Sequence, residues 1–475
     1  MSEPEDSPFS KIFKAYDVRG TVPDQLDSRA TFAIGAGFAR FVREAEGCDQ
    51  IVMARDMRES GVELSRAFAA GAFSQGAHVA DAGLASTDLL YYASGSLDRP
   101  GAMLTASHNP ARYNGIKMCL PGARPIGQET GLSDIRAFAE EFLADAPAHG
   151  AAERVEDDPR LEKVDLLDDF ARHVHSFVDV DSLRPLKIVA DTANGMGGLV
   201  APRVFSGLPF SVEILFGDLD GTFPNHPADP IQIENLASLR QRILESEADV
   251  GLAFDGDADR VFLVDEKTEP LSGSLTTAIV AAAMLDGHPG ETVLHNLICS
   301  KAVPEVIREH GGSPVRTRVG HSFIKATMAE TGAIFGGEHS GHYYFRDNFR
   351  ADSGIIAALV VLGVMSRSGD PLSEVRKPFE RYADSGEINT EVGDAAAILA
   401  AVEAHYKGLD APIDHLDGLT VDLGNWWFNL RPSNTEPLLR LNLEASDGTE
   451  CSKQVAEVIG LVHELDHPGN GEDRT

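Results

Sequence analysis

Short apolar segments alternate with helical segments along most of the chain, and this alternation limits the possible folds more than any other feature of the sequence. The segments 51–54 (IVMA), 78–83 (HVADAG) and 102–106 (AMLTA) have the composition of buried strands, and helical patterns lie between them. Strands that alternate with helices form βαβ units around a mostly parallel sheet. The same order recurs around 250–254 (VGLAF) and 292–297 (TVLHNL). The sequence therefore predicts three similar α/β units.

Two further segments predict finer features. One helix is expected across 231–249, because apolar residues recur there at the spacing of one helix face: Ile233, Leu236, Leu239 and Ile243. From Leu439 to Ala445 apolar and polar residues alternate instead, which predicts a half-buried strand with one face in water. The chain should thus end in a smaller α+β unit. The expected unit boundaries are 1–150, 151–258, 259–370 and 371–475.

Composition excludes several classes of protein. A chain of 475 residues is enough for about three or four domains, and its net charge of −33 offers no basic field to nucleic acid or to an anionic membrane. The four cysteines lie far apart without a CxxC pair, as is typical of reduced cytosolic thiols. The N-terminus is acidic rather than signal-like, and no run of about eighteen apolar residues occurs. We expect a cytoplasmic protein.

The segment 103–117 (MLTASHNPARYNGIK) follows a predicted strand with an unusual density of polar groups. Ser107, His108, Asn109 and Lys117 fall on one irregular loop. Polar loops that a packed strand holds in place often carry catalytic groups. This segment is therefore a candidate for catalysis, although it does not define the reaction by itself.

The segment 254–260 (FDGDADR) places Asp255, Asp257 and Asp259 directly after a predicted strand. Alternating carboxylates on a loop can supply the oxygen ligands of Mg²⁺, which often also binds a phosphate, and the carboxyl end of a strand is where α/β sheets bind ligands. An EF-hand is disfavoured because Arg260 occupies the position that needs glycine and a strand follows. A solvated acidic turn is the remaining alternative.

Two further loops carry ligand-like groups. The segment 336–342 (GGEHSGH) presents Glu338, Ser340 and His342 to sugar hydroxyls, or forms an ordinary polar turn. The segment 431–437 (RPSNTEP) is suited to a phosphate, or is a hairpin connection, through Arg431, Ser433, Asn434 and Thr435. Weaker candidates lie in 16–20 (YDVRG) and 319–325 (VGHSFIK), namely Tyr16, Arg19 and the lone histidine His321.

These motifs together resemble the α-D-phosphohexomutase superfamily, and most closely its bacterial phosphomannomutase/phosphoglucomutase branch. TASHNP with NGIK, FDGDADR, GGEHSGH and RPSNTEP occur in the family's order, and RDMR, DTANGMGG and FPNHPADP add to the similarity. The resemblance covers nearly the whole chain from YDVRG onward. It implies four domains around a central cleft: a phosphoserine domain, a metal-loop domain, a sugar-recognition domain and a C-terminal phosphate-binding domain.

The resemblance also implies a role for each candidate residue. Ser107 would carry a phosphoryl group that His108 and Lys117 contact, and Mg²⁺ would bind between Ser107, Asp255, Asp257 and Asp259, near Arg260. Tyr16, Glu338, Ser340 and His342 would contact the sugar, and Arg431, Ser433, Asn434 and Thr435 its other phosphate. Arg19 and His321 would act where a proton leaves or reaches the sugar hydroxyl. A cleft with a net charge of −33 around it should be locally basic at Arg19, Lys117, Arg260 and Arg431.

The implied reaction interconverts hexose 6-phosphate and hexose 1-phosphate, of mannose and also of glucose, through hexose 1,6-bisphosphate. An aspartyl-phosphate phosphatase is disfavoured because the obvious nucleophile is Ser107, and an inactive sugar-phosphate sensor is disfavoured because the serine and the acids are all present. Phosphoglucosamine mutase is the alternative within the family, although the histidine in GGEHSGH stands where that group usually has glutamine. Two positions depart from the family pattern: Ser274 stands where relatives often have an acidic residue, and Leu297 stands where some relatives have a lysine.

Overall fold

Four sheets follow one another along the chain in the computed structural model, which describes residues 7–144, 146, 152–432 and 438–466. They contain seven, four, four and five strands. The first three are mixed sheets flanked by helices, and the last is antiparallel. The predicted class, three similar α/β units and a smaller α+β unit, is confirmed.

The first sheet has the strand order β1-β5-β4-β2-β3-β7, with β6 beside β5. Its strands are β1 (Val18–Thr21), β2 (Gln50–Arg55), β3 (His78–Leu84), β4 (Gly101–Leu104), β5 (Tyr113–Leu120), β6 (Arg124–Pro125) and β7 (Leu161–Lys163). Its helices are α1 (Ser28–Glu46), α2 (Ser60–Ser74), α3 (Thr87–Leu97) and α4 (Leu132–Leu143). Strands β2, β3 and β4 are parallel, and β5 returns antiparallel to β4.

Two glycines allow α1 and α2 to pack closely on this sheet. A Cβ on Gly35 would lie 2.2 Å from the Phe68 carbonyl oxygen, and one on Gly71 would lie 2.0 Å from that of Phe32. Any larger side chain would push the helices apart. The "AFAAGAF" pattern of α2 is therefore a requirement of helix packing.

The second and third sheets repeat a smaller version of this arrangement. The second contains β8 (Lys187–Asp191), β9 (Ser211–Leu215), β10 (Val250–Phe254) and β11 (Val261–Asp265), with α5 (Leu167–His175), α6 (Gly197–Phe205) and α7 (Ala237–Ser246). The third contains β12 (Thr292–Asn296), β13 (Ser313–Thr317), β14 (Phe335–Gly337) and β15 (Tyr343–Phe345), with α8 (Gly273–Leu285), α9 (Ala302–Glu309), α10 (His321–Thr331), α11 (Gly354–Ser368) and α12 (Leu372–Val375).

One structural device recurs in the first three sheets. A parallel strand ends in a loop, and the next strand returns antiparallel beside it: β4 to β5, β10 to β11, and β14 to β15. We call these connections the serine loop (105–112), the acidic loop (255–260) and the glycine-rich loop (338–342). In each sheet, the loop therefore leaves the carboxyl end of a parallel strand, where α/β sheets bind ligands.

The fourth sheet has the order β16-β20-β19-β18-β17. Its strands are β16 (Ala383–Glu391), β17 (Ile413–Asp414), β18 (Leu419–Asp422), β19 (Trp426–Pro432) and β20 (Leu438–Ala445), and its helices are α13 (Ala395–Lys407) and α14 (Gly448–Asp466). Short 3₁₀ helices elsewhere in the chain cover Pro8–Lys11, Pro121–Ala123, Gln128–Thr130, Ala152–Asp157, Val180–Ser182, Ile233–Leu236, Arg346–Asn348 and Lys377–Phe379.

Three details differ from the sequence-based expectation. The single helix expected across 231–249 is wrong at its start: a 3₁₀ helix precedes α7, and Ile233 is 50% exposed whereas Leu239 and Ile243 are buried. Strand β7 pairs with β3 of the first sheet and β11 with β10 of the second, so these sheets extend past the expected boundaries at 150 and 258.

The third difference concerns the polar face of β20. It was expected to face water, but Asn442 and Glu444 are buried. Glu444 Oε1 accepts hydrogen bonds from the Lys301 main-chain N–H at 2.9 Å and from Trp427 Nε1 at 2.9 Å. The expectation fails because this end of the strand packs against the start of α9 in the third unit.

The buried apolar residues form several clusters. One runs through the first three units and includes Leu89, Ile188 and Ile279, and the first unit has a second cluster around α1 and α2. The fourth unit has its own cluster around Phe428, Leu441 and Val458.

The four cysteines are free thiols, as expected. Among the described residues, no single helix is both long and apolar enough to span a membrane; α11 with Leu372–Phe379 meets that test only as a pair bent by 92°.

Candidate active site

Ser107 occupies a constrained position in the serine loop. Its side chain is buried, and its main chain is left-handed with φ 49°, which is uncommon for a residue other than glycine. Its N–H donates to Thr105 Oγ1 at 2.9 Å, and its Oγ donates to Asp255 Oδ2 at 2.8 Å. A Cβ on Gly256 would lie 2.5 Å from the Ser107 carbonyl oxygen. Glycine at position 256 thus lets the acidic loop reach the serine.

The three aspartates of the acidic loop converge beside Ser107. Asp255, Asp257 and Asp259 are buried, and one oxygen from each lies within 4.8 Å of the others. Asp257 Oδ1 and Asp259 Oδ1 are buried without a hydrogen-bond partner. Unpartnered buried carboxylate oxygens are unfavourable unless a cation binds them. The set of oxygen ligands therefore suits Mg²⁺.

Burial and nearby cations shift the pKa values of Asp255 and Asp257 in opposite directions. Burial raises the pKa of Asp255 to about 7, although Arg260 opposes the shift. For Asp257 burial acts in the same sense, but the charge and hydrogen bond of Lys117 outweigh it and hold its pKa below the usual range. The cluster therefore carries less than three full negative charges near neutral pH.

Two cations sit against the acids. Lys117 lies in β5 and not, as the sequence predicts, on one irregular loop with Ser107. Its Nζ contacts Asp257 Oδ2 at 2.8 Å and Asp259 Oδ2 at 2.6 Å. Arg260 Nη2 contacts Asp255 Oδ2 at 2.8 Å, and donates to Ser107 Oγ at 3.3 Å and to His108 Nδ1 at 2.5 Å. Burial, together with the charge of Arg260, lowers the pKa of His108 well below its usual value. A neutral His108 accepts this hydrogen bond.

The glycine-rich loop meets the acidic loop through His342. His342 Nδ1 lies 2.8 Å from Asp352 Oδ2 and 3.9 Å from Asp259 Oδ1. Burial disfavours its charge, but Asp259 and Asp352 raise its pKa above the usual value. Glu338 is buried, accepting from the Gly320 N–H at 3.0 Å and from Tyr344 Oη at 2.9 Å. Ser340 is half-buried in the same loop.

The N-terminal candidates flank the serine loop. Arg19 Nη1 donates to Asn109 Oδ1 at 2.7 Å, and Nη2 contacts Asp17 Oδ2 at 2.6 Å. The Tyr16 ring meets the His321 ring edge-on at 4.2 Å. Burial and the charge of Lys325 lower the pKa of His321, and its Nδ1 is buried without a partner. His321 is thus a neutral imidazole with a free nitrogen.

Arg431 lies across a cavity of about 490 Å³ from these groups. The cavity wall includes Tyr16, Arg318, Phe323 and Arg431, so the first, third and fourth units contribute to it. Arg431 Nη2 donates to Glu387 Oε2 at 2.8 Å. Ser433, Asn434 and Thr435 lie outside the described residues.

The sequence analysis missed several groups that hold this site together. Thr87 Oγ1 donates to Asp257 Oδ2 at 2.6 Å from the start of α3. Lys325 Nζ contacts Asp352 Oδ1 at 2.9 Å and so supports the partner of His342. Nothing in the spacing of Thr87 or Asp352 indicates these contacts: the first crosses from one unit to another, and the second joins residues 27 positions apart within the third unit. Arg58, in the RDMR segment, also contacts the serine loop.

Three α/β units are followed by an α+β unit, and a buried serine, three carboxylates and two cations lie together in one site. This combination of fold and site defines an enzyme of the phosphohexomutase class. Four family models match the chain: phosphoglucomutase/phosphomannomutase alpha/beta/alpha domain I over residues 10–142, domain II over 168–269, domain III over 272–382, and the C-terminal domain over 387–461. The chain belongs to the phosphoglucomutase/phosphomannomutase family, and it is a mutase.

Individual relatives agree with this assignment. The chain is 39% identical to the phosphohexose mutases of Xanthomonas campestris over 453 residues, covering 95% of this chain and 98% of that protein. It is 37% identical to a phosphomannomutase of Salmonella montevideo over 459 residues, with the same coverage of 95% and 98%. These relatives support phosphohexomutase activity.

Solved structures agree as well. A phosphoglucomutase/phosphomannomutase family protein from Burkholderia thailandensis superposes with a TM-score of 0.85 at 30% identity, covering 98% of both chains. N-acetylphosphoglucosamine mutase from Aspergillus fumigatus, solved with GlcNAc-6P and magnesium, shares the fold with a TM-score of 0.63 at 14% identity over 97% of both chains.

Proposed function

We propose that this enzyme interconverts hexose 6-phosphate and hexose 1-phosphate, accepting mannose and glucose, through phosphorylated Ser107 and a hexose 1,6-bisphosphate intermediate. The observation that carries the proposal is the hydrogen bond of 2.8 Å from the buried Ser107 Oγ to Asp255 within the acidic cluster. A serine placed between carboxylates and cations is poorly explained as a structural residue. The same position suits a phosphoryl group whose oxygens need positive charge.

Mg²⁺ belongs to this proposal as the metal that Asp255, Asp257 and Asp259 would hold together with Ser107. When bound, it supplies positive charge against phosphoryl oxygens. Lys117 and Arg260 supply charge from the protein itself, since both already contact the acidic cluster. His108, held by Arg260, stands beside the same group.

In the transfer step, the bond between phosphorus and Ser107 Oγ breaks as a sugar hydroxyl oxygen forms a new bond to phosphorus. The hydroxyl proton leaves, and Ser107 Oγ takes up a proton. We assign the proton transfer at the sugar hydroxyl to His321, whose lowered pKa keeps it neutral and able to accept. Arg19 supplies positive charge from the side of the serine loop. The resulting bisphosphate turns around, and the reverse transfer restores the phosphoserine.

The remaining candidates hold the substrate. Arg431, with Ser433, Asn434 and Thr435, would bind the phosphate that is not being transferred. Glu338 and Ser340 would contact sugar hydroxyls, with His342 and Tyr16 beside them. The A. fumigatus relative, solved with a sugar phosphate and magnesium, supports this class of ligand. We also assign the enzyme to the cytoplasm, in keeping with its four free thiols.

Phosphorylation of Ser107 is the direct test. Intact-mass measurement of active enzyme should show a fraction heavier by one phosphoryl group, and Ser107→Ala should remove both this fraction and nearly all turnover. The matched control is Ser65→Ala, since Ser65 is also buried but lies in α2 and bonds only to the Val62 carbonyl. Full activity in Ser107→Ala would overturn the proposed mechanism.

A further inference from the structure

Arg58 is a fully buried arginine that the proposed mechanism does not use. Its side chain is 1% exposed, and it follows β2 in the segment RDMR. Nε donates to Asp56 Oδ2 at 3.1 Å, and the Asp56 carboxylate also accepts from the Arg58 main-chain N–H at 2.9 Å. Asp56 therefore fixes the orientation of the guanidinium at its Nε end.

The other four N–H groups of this guanidinium all donate to main-chain carbonyls of the segment that carries Ser107. Nη2 donates to the carbonyls of Ser107 at 2.8 Å and Asn109 at 2.7 Å. Nη1 donates to those of Pro110 and Tyr113, each at 3.0 Å. An arginine has five such donors. One side chain thus donates to three carbonyls of the serine loop and to that of Tyr113 at the start of β5.

The main chain at Ser107 has a conformation that needs such support. Its left-handed φ of 49° is disfavoured for serine, and its carbonyl is one of the four that Arg58 holds. Hydrogen bonds from a charged donor in a buried place are stronger than neutral ones. Arg58 therefore stabilises the turn that directs Ser107 Oγ toward the acidic loop.

The second unit closes over this arrangement. A Cβ on Gly221 would lie 2.7 Å from Arg58 Cα, and the Phe223 ring lies 5.2 Å from the guanidinium carbon. The guanidinium is buried and takes the place of water as a donor to these carbonyls, and that of Pro110 also accepts from the Tyr113 N–H at 3.0 Å. A larger residue at position 221 could not approach the Arg58 main chain in this way.

We infer that Arg58 is a positioning residue for phosphoryl transfer: it fixes the loop that carries Ser107 through four main-chain carbonyl oxygens. The inference rests on the proposed phosphorylation of Ser107. The hydrogen bonds of Arg58 go to Asp56 and to main-chain carbonyls, and none goes to Ser107 Oγ. Arg58 acts through the geometry of the turn, and a misplacement of about 1 Å at a reacting group costs roughly 10²-fold in rate.

Arg58→Ala and Arg58→Lys test this role through the division between kcat and KM. With glucose 1-phosphate, we expect Arg58→Ala to lower kcat by about 10²-fold while KM stays near the wild-type value, because substrate contacts are untouched. Lysine offers three donors instead of five, so Arg58→Lys should fall between the two. Added guanidinium chloride, at a concentration that does not unfold the protein, should restore part of the Arg58→Ala kcat, whereas sodium chloride at equal ionic strength should not.

Arg376→Ala is the matched control. Arg376 is also a largely buried arginine, bonded to the carboxylates of Asp265 and Glu380 and to the carbonyls of Glu269 and Pro270. None of these hydrogen-bond partners belongs to the serine loop. We expect this variant to melt at a lower temperature, keep its kcat and show no response to guanidinium.

Three results would overturn the inference: wild-type kcat in folded Arg58→Lys, a loss confined to KM, or an equal loss of kcat in Arg376→Ala. If Arg58→Ala does not fold, Arg58→Lys decides alone. Failure of the proposed function gives a different result, because Ser107→Ala would then remain active and the wild-type mass would show no phosphoryl group. Phosphorylated wild-type enzyme with an unaffected Arg58→Lys variant would remove only the role of Arg58.

Discussion

Asp255, Asp257 and Asp259 alternate along the sequence, yet each has a different electrostatic environment. Asp257 is held by Lys117 and by the Thr87 hydroxyl, and Asp259 by Lys117. Asp255 is paired with Arg260 and accepts from Ser107. Burial raises the pKa of Asp255 to about 7. A metal that binds the cluster therefore competes with a proton at Asp255.

This competition predicts a pH dependence of Mg²⁺ binding. Below about pH 7 Asp255 is increasingly protonated, and a protonated carboxyl is a poor ligand, so the affinity should fall by about tenfold per pH unit as pH decreases. Calorimetric titration of the dephosphorylated enzyme with Mg²⁺ from pH 5.5 to 8 measures this slope. Asp347→Asn, which changes an exposed carboxylate, should give the same slope. An affinity independent of pH over this range would contradict the pKa of Asp255.

At the scale of elements, the sequence indicated which loops are functional but not how they are held. Each loop follows a recognisable apolar strand, so its residue types and its position at a strand end could be predicted. The antiparallel return of β5, β11 and β15 could not, because a short apolar run does not specify the direction of its neighbour. Contacts across units, such as Thr87 with Asp257, depend on the docking of separate sheets and leave no local pattern.

Helices α3 and α11 are joined by a similar contact across units. Asp88 in α3 is buried and accepts from Ser353 Oγ at 2.7 Å and also from the Ser86 hydroxyl. Ser353 caps the N-terminus of α11 in the third unit. Burial raises the pKa of Asp88 to about 7, although the two hydroxyls oppose the shift. This carboxyl is therefore protonated in the folded protein at pH values where it is ionised in the unfolded chain.

Stability should consequently fall as pH rises through this interval. The folded protein binds the proton more tightly, so the contribution is present in acid and is lost as pH approaches 7. Between pH 5.5 and 8 the loss is about 2 kcal/mol. Asp88→Asn keeps an acceptor without titrating, and should reduce the pH-dependent change in Tm by about 2 °C. Scanning calorimetry measures this change in Tm for the wild type, for Asp88→Asn and for the exposed control Asp134→Asn. An identical pH dependence of Tm in all three would contradict the raised pKa of Asp88.

At the scale of the whole molecule, one apolar cluster runs through the first three units, and the fourth unit has its own. The serine, acidic and glycine-rich loops therefore belong to one packed body, and Arg431 belongs to another. Between them lie a cavity of about 490 Å³ and the buried contact of Glu444 with the start of α9. The number of units could be predicted from the repeated strand and helix pattern. The sharing of the core could not, because buried residues look alike in sequence whichever unit they contact.

The proposed bisphosphate mechanism limits how well the enzyme can distinguish two sugars. In the proposed mechanism the bisphosphate binds in two orientations, so contacts to the sugar should fall on groups that occupy similar places in both. Hydroxyls 3 and 4 meet this demand, and Glu338, which we propose as their contact, accepts from the Gly320 N–H and the Tyr344 hydroxyl. Mannose and glucose differ only at carbon 2. The proposed contacts therefore do not separate them.

We accordingly expect kcat/KM for mannose 1-phosphate and glucose 1-phosphate to differ by no more than roughly 10- to 200-fold, the range of modest differences in a pocket. Glu338→Gln should lower both values by a common factor, because Glu338 is assigned to hydroxyls that the two sugars share. Glu374→Gln, which changes an exposed carboxylate, should leave both values unchanged. The measurement is a coupled assay of both substrates at saturating Mg²⁺ for all three proteins. A preference of about 10⁴ or more requires a buried polar partner that one sugar leaves unpaired, and it would show that a residue contacts carbon 2 directly. A change in the ratio of the two kcat/KM values in Glu338→Gln would identify Glu338 as that residue.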